Sequence, residues 1–165
     1  MAYKSSDICK IIYYNEEQFD IGIILSNDSN HMMFIDFNLF GEYNGYLFQE
    51  NERAEKLIHK GQYLSFMRSI INLDSITYLP LHNKTDFIYE AINNNRVLGI
   101  TKSTDYVEEI TDIKVLEFDG IYVKYREYTR YATLSRRVSK VKISNIVFIQ
   151  IDSKYQRLIE KYREE

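Results

Sequence analysis

The chain has 165 residues, 45% of them hydrophobic and 27% charged, with a formal net charge of −3, one Cys and one Pro. That balance excludes a fibrous, collagenous or low-complexity chain and leaves apolar surface for one large domain or two small ones. Cys9 has no partner in the chain, the first residues lack an apolar signal core, and no stretch approaches the roughly 20 apolar residues of a membrane span, so a cytoplasmic, membrane-free protein is expected.

The first half reads as a series of strands. Ile8-Cys9-Lys10-Ile11-Ile12-Tyr13-Tyr14, then residues 19–25, then His31-Met32-Met33-Phe34-Ile35-Asp36-Phe37 are short, rich in β-branched and aromatic residues, and separated by Asn-, Asp- and Ser-containing turns. Asn44-Gly45 signals a hairpin, because both central positions of a type I′ turn need positive φ, and Tyr46-Leu47-Phe48 is the next strand. Leu57-Ile58-His59 is a fifth. Residues 62–73 then place Leu64, Met67, Ile70 and Ile71 near helical spacing. Between the halves, Pro80 marks extended chain, and Thr85 or Asp86 is placed to cap a helix over residues 87–92.

The second half repeats the order. Strands are expected over residues 96–101, 110–118, 121–128 and 141–151, with Asp119-Gly120 as a tight turn, and a helix over 155–162. Laid over each other, Asp20-Ile21 meets Asp112-Ile113 and Tyr63 meets Tyr155 at a steady offset, which suggests internal duplication. The expected organisation is a first repeat over 1–73, an ordered linker with a helix over 74–95, and a second repeat over 96–165. The expected fold class is mainly β (α+β), with two tandem, strongly bent small β-barrels, each closed by a short C-terminal helix and joined by the linker helix.

Gly22-Ile23-Ile24-Leu25 with Met33-Phe34-Ile35-Asp36-Phe37-Asn38 resembles the first motif of Sm-like (LSm) folds. The Arg-Gly step of the second Sm motif is missing from Lys56-Leu57-Ile58-His59-Lys60-Gly61, and the helix follows the strands where Sm proteins place it first. Glu17-Gln18-Phe19-Asp20-Ile21-Gly22 with Gly41-Glu42-Tyr43-Asn44-Gly45-Tyr46 is similar to uncharacterised duplicated small-barrel proteins of low-GC Gram-positive bacteria. The resemblance implies a fold and carries no activity.

The strongest functional signal is a charge imbalance. Residues 121–145 hold Lys124, Arg126, Arg130, Arg136, Arg137, Lys140 and Lys142 against Glu127 alone, so this stretch carries +6 and the remainder −9. Tyr122, Tyr125, Tyr128 and Tyr131 are interleaved. Cations neutralise phosphates and Tyr rings stack on bases, so Lys124, Arg126, Arg130, Arg136, Arg137, Lys140 and Lys142 with Tyr122 and Tyr128 form a candidate RNA or single-stranded nucleic-acid surface. The same residues suit a solvated strand edge whose charges prevent aggregation. Fifteen Tyr and no Trp suit packed edges and protein interfaces alike, and Tyr13, Tyr14, Tyr43 and Tyr46 are the interface candidates.

His31, His59, His82 and Cys9 are scattered singly, so no metal or other cofactor is expected. Glu16-Glu17 and Glu108-Glu109 are adjacent carboxylates that point apart, and no phosphate loop or nucleophile elbow occurs. The chain therefore reads as a non-catalytic interaction module that binds another protein, an accessory or immunity-type protein of bacterial character, with nucleic-acid binding as the alternative and homo-oligomerisation left open.

Overall fold

The structure is a computed structural model that describes residues 2–13, 18–50, 54–105 and 109–163. Tyr14, Glu16, Glu17 and Glu108 lie outside the described residues. The chain divides into two units, Met1–Tyr78 and Leu79–Glu165.

In the first unit, β1 (Ile8–Tyr13), β2 (Phe19–Asn27), β3 (His31–Phe37), β4 (Tyr43–Glu50) and β5 (Ala54–Ile58) are followed by α1 (Gln62–Ile70). Their order is β5-β1-β2-β3-β4, with antiparallel pairing throughout. Burial explains the sequence: six consecutive β3 residues, Met32 to Phe37, are buried, and they join Ile8, Ile11, Tyr46, Leu64 and Met67 among the buried side chains. Arg68 ties α1 to the start of β1 by donating to the Ile8 carbonyl at 2.6 Å and to the His59 carbonyl at 3.0 Å.

Asn44-Gly45 makes a different structure from the expected hairpin turn. The turn lies upstream, at residues 38–42, where the Asn38 side chain accepts from the Phe40 and Glu42 amides. Asn44 and Gly45 sit inside β4, where Ile35 pairs with Tyr46 and Phe37 with Tyr43, so two β4 residues oppose Asp36 alone. This is a β-bulge, and its demand for positive φ is met by Gly45 at 93°. In the turn, Gly41 has φ 75°, and a Cβ built there would lie 2.9 Å from Ile70 Cγ1. Gly41→Ala is expected to cost about 1–2 kcal/mol, from the left-handed backbone alone, read as a lower urea midpoint with unchanged slope.

In the second unit, α2 (Lys84–Asn93) precedes β6 (Leu98–Lys102), β7 (Thr111–Phe118), β8 (Tyr122–Tyr128), β9 (Leu134–Lys142) and β10 (Ile146–Ile151), and α3 (Lys154–Tyr162) follows. The α2 cap is Asn83, whose side chain accepts from the Asp86 amide at 3.1 Å, while the Asp86 carboxylate accepts from the His82 amide at 2.7 Å. Within this unit the order is β10-β6-β7-β8-β9, again antiparallel. Numbered within its own unit, each sheet therefore runs fifth, first, second, third, fourth, and a helix follows the fifth strand.

Two closed small barrels, the fold expected from sequence, are not formed. The ten strands run in open antiparallel order, five per unit, with three α-helices among the described residues. Bulges in the β2/β3, β3/β4, β7/β8 and β8/β9 pairs bend the strands locally. Closure also needs a hydrogen-bonded pair between the end strands of each order, and neither β4 with β5 nor β9 with β10 pairs among the described residues. The long strand expected over 141–151 is also two strands, broken by a 3-10 turn at Ile143–Asn145.

Candidate functional site

The basic stretch folds into the β8–β9 hairpin. Tyr122 pairs with Lys142, Lys124 with Lys140, and Arg126 with Val138, while Val123 pairs with Val141 and Tyr125 with Ser139. Directly paired residues share a face, so Tyr122, Lys124, Arg126, Val138, Lys140 and Lys142 line one side, and buried Val123, Tyr125 and Val141 the other. The neighbouring strand continues the outer side, since Lys114 pairs with Arg126 and Glu117 with Lys124. Lys114 belongs to this face although the sequence reading passed over it; its signal was the alternation of β7, in which Ile113 and Val115 are buried and residue 114 faces out.

The register shifts between Arg126 and Tyr128. Tyr128 lies two residues beyond Arg126 and packs in a cluster with Val97 and, from α3, Ile159, against which Ala132 and Leu134 pack. Its hydroxyl accepts from Arg163 at 3.4 Å. Tyr128 is therefore covered by Val97 and by Ile159 of α3, and it is not a surface ring. Arg136 and Arg137 fall in the bulged part of β9 and are exposed. Arg130 lies in the turn beyond β8, with its guanidinium 4.8 Å from the Tyr131 ring centroid, and Tyr131 is 74% exposed.

Charge on the outer face is only partly offset within the chain. Lys124 Nζ lies 3.5 Å from Glu117 Oε2, with both groups exposed, a contact worth little in water. Lys140 and Lys142 stand 4.2 and 5.7 Å from the Tyr122 ring centroid. Two Lys directly opposite each other, as Lys124 and Lys140 are, disfavour the pairing, and an anion beside them would relieve it. Every other pairing on this hairpin buries an apolar or Tyr side chain on the inner side, so the strands stay joined despite the repulsion.

The interface candidates Tyr13, Tyr43 and Tyr46 are buried, at 8%, 4% and 0% exposure. The Tyr13 hydroxyl donates to the Asp20 carboxylate, and the Tyr46 hydroxyl to the Thr77 carbonyl at 3.0 Å. All three are core rings, those of Tyr13 and Tyr46 with their hydroxyls satisfied inside, and they do not form a rim. Exposed apolar side chains include Tyr63, Phe66 and Ile70 on α1, and Tyr155, Leu158 and Tyr162 on α3. Each set occupies the second, fifth and ninth positions of its helix, outside the buried Leu64 and Met67 in one and Gln156 and Ile159 in the other.

Two carboxyls form a second polar cluster in the first unit. Asp36 is 9% exposed, accepts from Asn44 Nδ2 at 2.7 Å, and is pushed up to about 7, chiefly by burial and further by the charge of Asp20. Burial also raises Asp20, against the Tyr13 hydrogen bond. In the second unit Asp112 is raised by burial as well, while Gln156 Nε2 donates to it at 3.2 Å. His31 bonds Asp28, His59 and His82 are exposed, and Cys9 is buried; among the described residues no group of three or more His, Cys, Asp or Glu is placed to hold a metal. Among the described residues no helix is long and apolar enough to cross a membrane. No family model matches this chain, and no curated protein or solved structure is significantly similar to it.

Proposed function

We propose that the protein is a non-catalytic interaction module that binds another protein, and that its contact surface is the outer face of the β8–β9 hairpin. The observation that carries this is the in-register set Lys124, Arg126, Lys140 and Lys142, standing with Tyr122 on β8 and β9, of which β9 ends its unit's order, in a chain that is acidic elsewhere. Complementary charge selects partners and speeds encounter, so the partner surface is acidic. The exposed apolar faces of α1 and α3 also favour a protein partner, because a polyanion makes no use of them.

The second reading is single-stranded nucleic acid, favoured by the position of the Tyr122 ring among cations. It is the weaker one. Of the two rings proposed for stacking, Tyr128 is buried, and Lys140 already lies over Tyr122.

Fluorescence anisotropy of the full chain separates the two, using a labelled Glu-rich peptide and a mixed pool of short RNA and single-stranded DNA, at low and physiological salt. The Glu-rich peptide is expected to bind, to weaken with salt, and to lose about tenfold in affinity in Lys140→Glu/Lys142→Glu. Tighter binding of the nucleic-acid pool, lost in Arg136→Glu/Arg137→Glu, would replace the protein partner with nucleic acid. Failure of both probes at low salt would overturn the surface assignment.

A further inference from the structure

β9 has β8 on one side and ends the strand order of its unit. A terminal strand leaves a row of backbone N–H and C=O groups along its open side, and an extended segment can satisfy them by adding as one more strand. Short length and proline are two of the devices that prevent this. β9 uses neither: it has nine residues and no proline. Its bulge is confined to the end near Leu134, so Val138 to Lys142 run in regular register against β8.

The side chains along this regular stretch specify what would fit. Lys140 and Lys142 point to the outer face, and Ser139 and Val141 to the inner one, where Val141 is 8% exposed. An added strand sets its own alternate residues beside these two rows. Carboxylates beside the Lys row would offset the like-charge pairing of Lys124 with Lys140, and apolar side chains beside Val141 would extend the inner face. Resting on the interaction role above, we infer that the open edge of β9 accepts an extended segment of the partner protein in which acidic residues alternate with apolar ones.

The probe is a nine-residue peptide of alternating Glu and Val, matched in length to β9, and its control has the same Glu residues with Pro in place of Val. The control keeps the charge, loses the backbone N–H at every former Val position, and resists an extended ladder. The alternating peptide is expected to bind the full chain at least tenfold more tightly than the control and to slow hydrogen exchange at the β9 amides of residues 138–142 by a similar factor. The Lys140→Glu/Lys142→Glu chain is expected to prefer an alternating Lys–Val peptide instead. Equal binding of the two acidic peptides, or binding without protection of β9, would overturn strand addition while leaving an acidic partner in place. Absence of binding by any anionic probe would overturn the surface itself. Protection of β9 that rises with protein concentration alone would assign the edge to a second copy of this chain and overturn the foreign segment.

Discussion

Unfolding free energy is expected to fall by up to about 4 kcal/mol between pH 4 and pH 7, and to level off above, because of Asp36. The carboxyl lies 9% exposed beside the β3–β4 bulge, with Asn44 as its donor and Asp20 as the nearby charge that opposes ionisation. Its folded value of about 7 stands above the roughly 3.9 of an unfolded Asp. Between those values the folded chain keeps a proton that the unfolded chain has released, so stability falls as pH rises, by about 1.4 kcal/mol per unit. Burial of Asp20 and Asp112 acts in the same direction. The exposed Asp28 and Asp119 are lowered by backbone hydrogen bonds, so their contribution is lost only as pH falls toward and below the unfolded value, outside this window. Asp36→Asn removes the titration and keeps an oxygen for Asn44. Urea unfolding across the range is expected to show the variant close to the parent at pH 4 and more stable than it at pH 8. An unchanged slope in the variant would show that Asp36 ionises freely in the folded protein. A change of this size matters, because it is comparable to a large share of a small domain's total stability.

Local signals in the sequence located most strands and all three helices, because they depend on short-range pattern: β-branched runs in β1 to β3, helical spacing of Leu64 and Met67, and the alternation of Val123 and Tyr125 with polar neighbours. What was illegible depends on pairing at a distance. Asn44-Gly45 offers positive φ equally to a turn and to a bulge, and only the register of β3 against β4 decides between them. The burial of Tyr128 has no local signature, since its cover comes from Val97 and Ile159, distant in the chain. β9 was hidden for another reason. Four of its nine residues are Lys or Arg, a composition that reads as solvated loop until β8 supplies the partner and buries Val141 beneath the cations. The Tyr rings misled because a phenol hydroxyl is tolerated inside when it finds an acceptor, as those of Tyr13 and Tyr46 do in Asp20 and the Thr77 carbonyl. Barrel closure could not be read at all, since the same five strands in the same order serve an open sheet until their end strands pair.

Arg96→Met is expected to destabilise the second unit by about 3 kcal/mol. The Arg96 guanidinium joins two acids that lie 56 residues and 6 residues away, reaching Asp152 Oδ1 at 3.1 Å and Glu90 Oε1 at 3.0 Å. Asp152 is 2% exposed and holds φ 62° at the turn between β10 and α3. Arg96→Met removes a charge-assisted hydrogen bond at 3.1 Å from this buried carboxylate, and loss of one partner of a buried pair is where such large costs arise. The cost should then belong to the pair and not to lost Arg packing. Asp152→Asn supplies a neutral side chain that tolerates the same positive φ. In the double variant Arg96→Met/Asp152→Asn, the loss is expected to be at least 1 kcal/mol smaller than the sum of the single losses, measured by urea unfolding at pH 7. Strict additivity would mean that Arg96 acts through its methylene stem and its bond to Glu90, and that Asp152 is solvated well enough to stand alone.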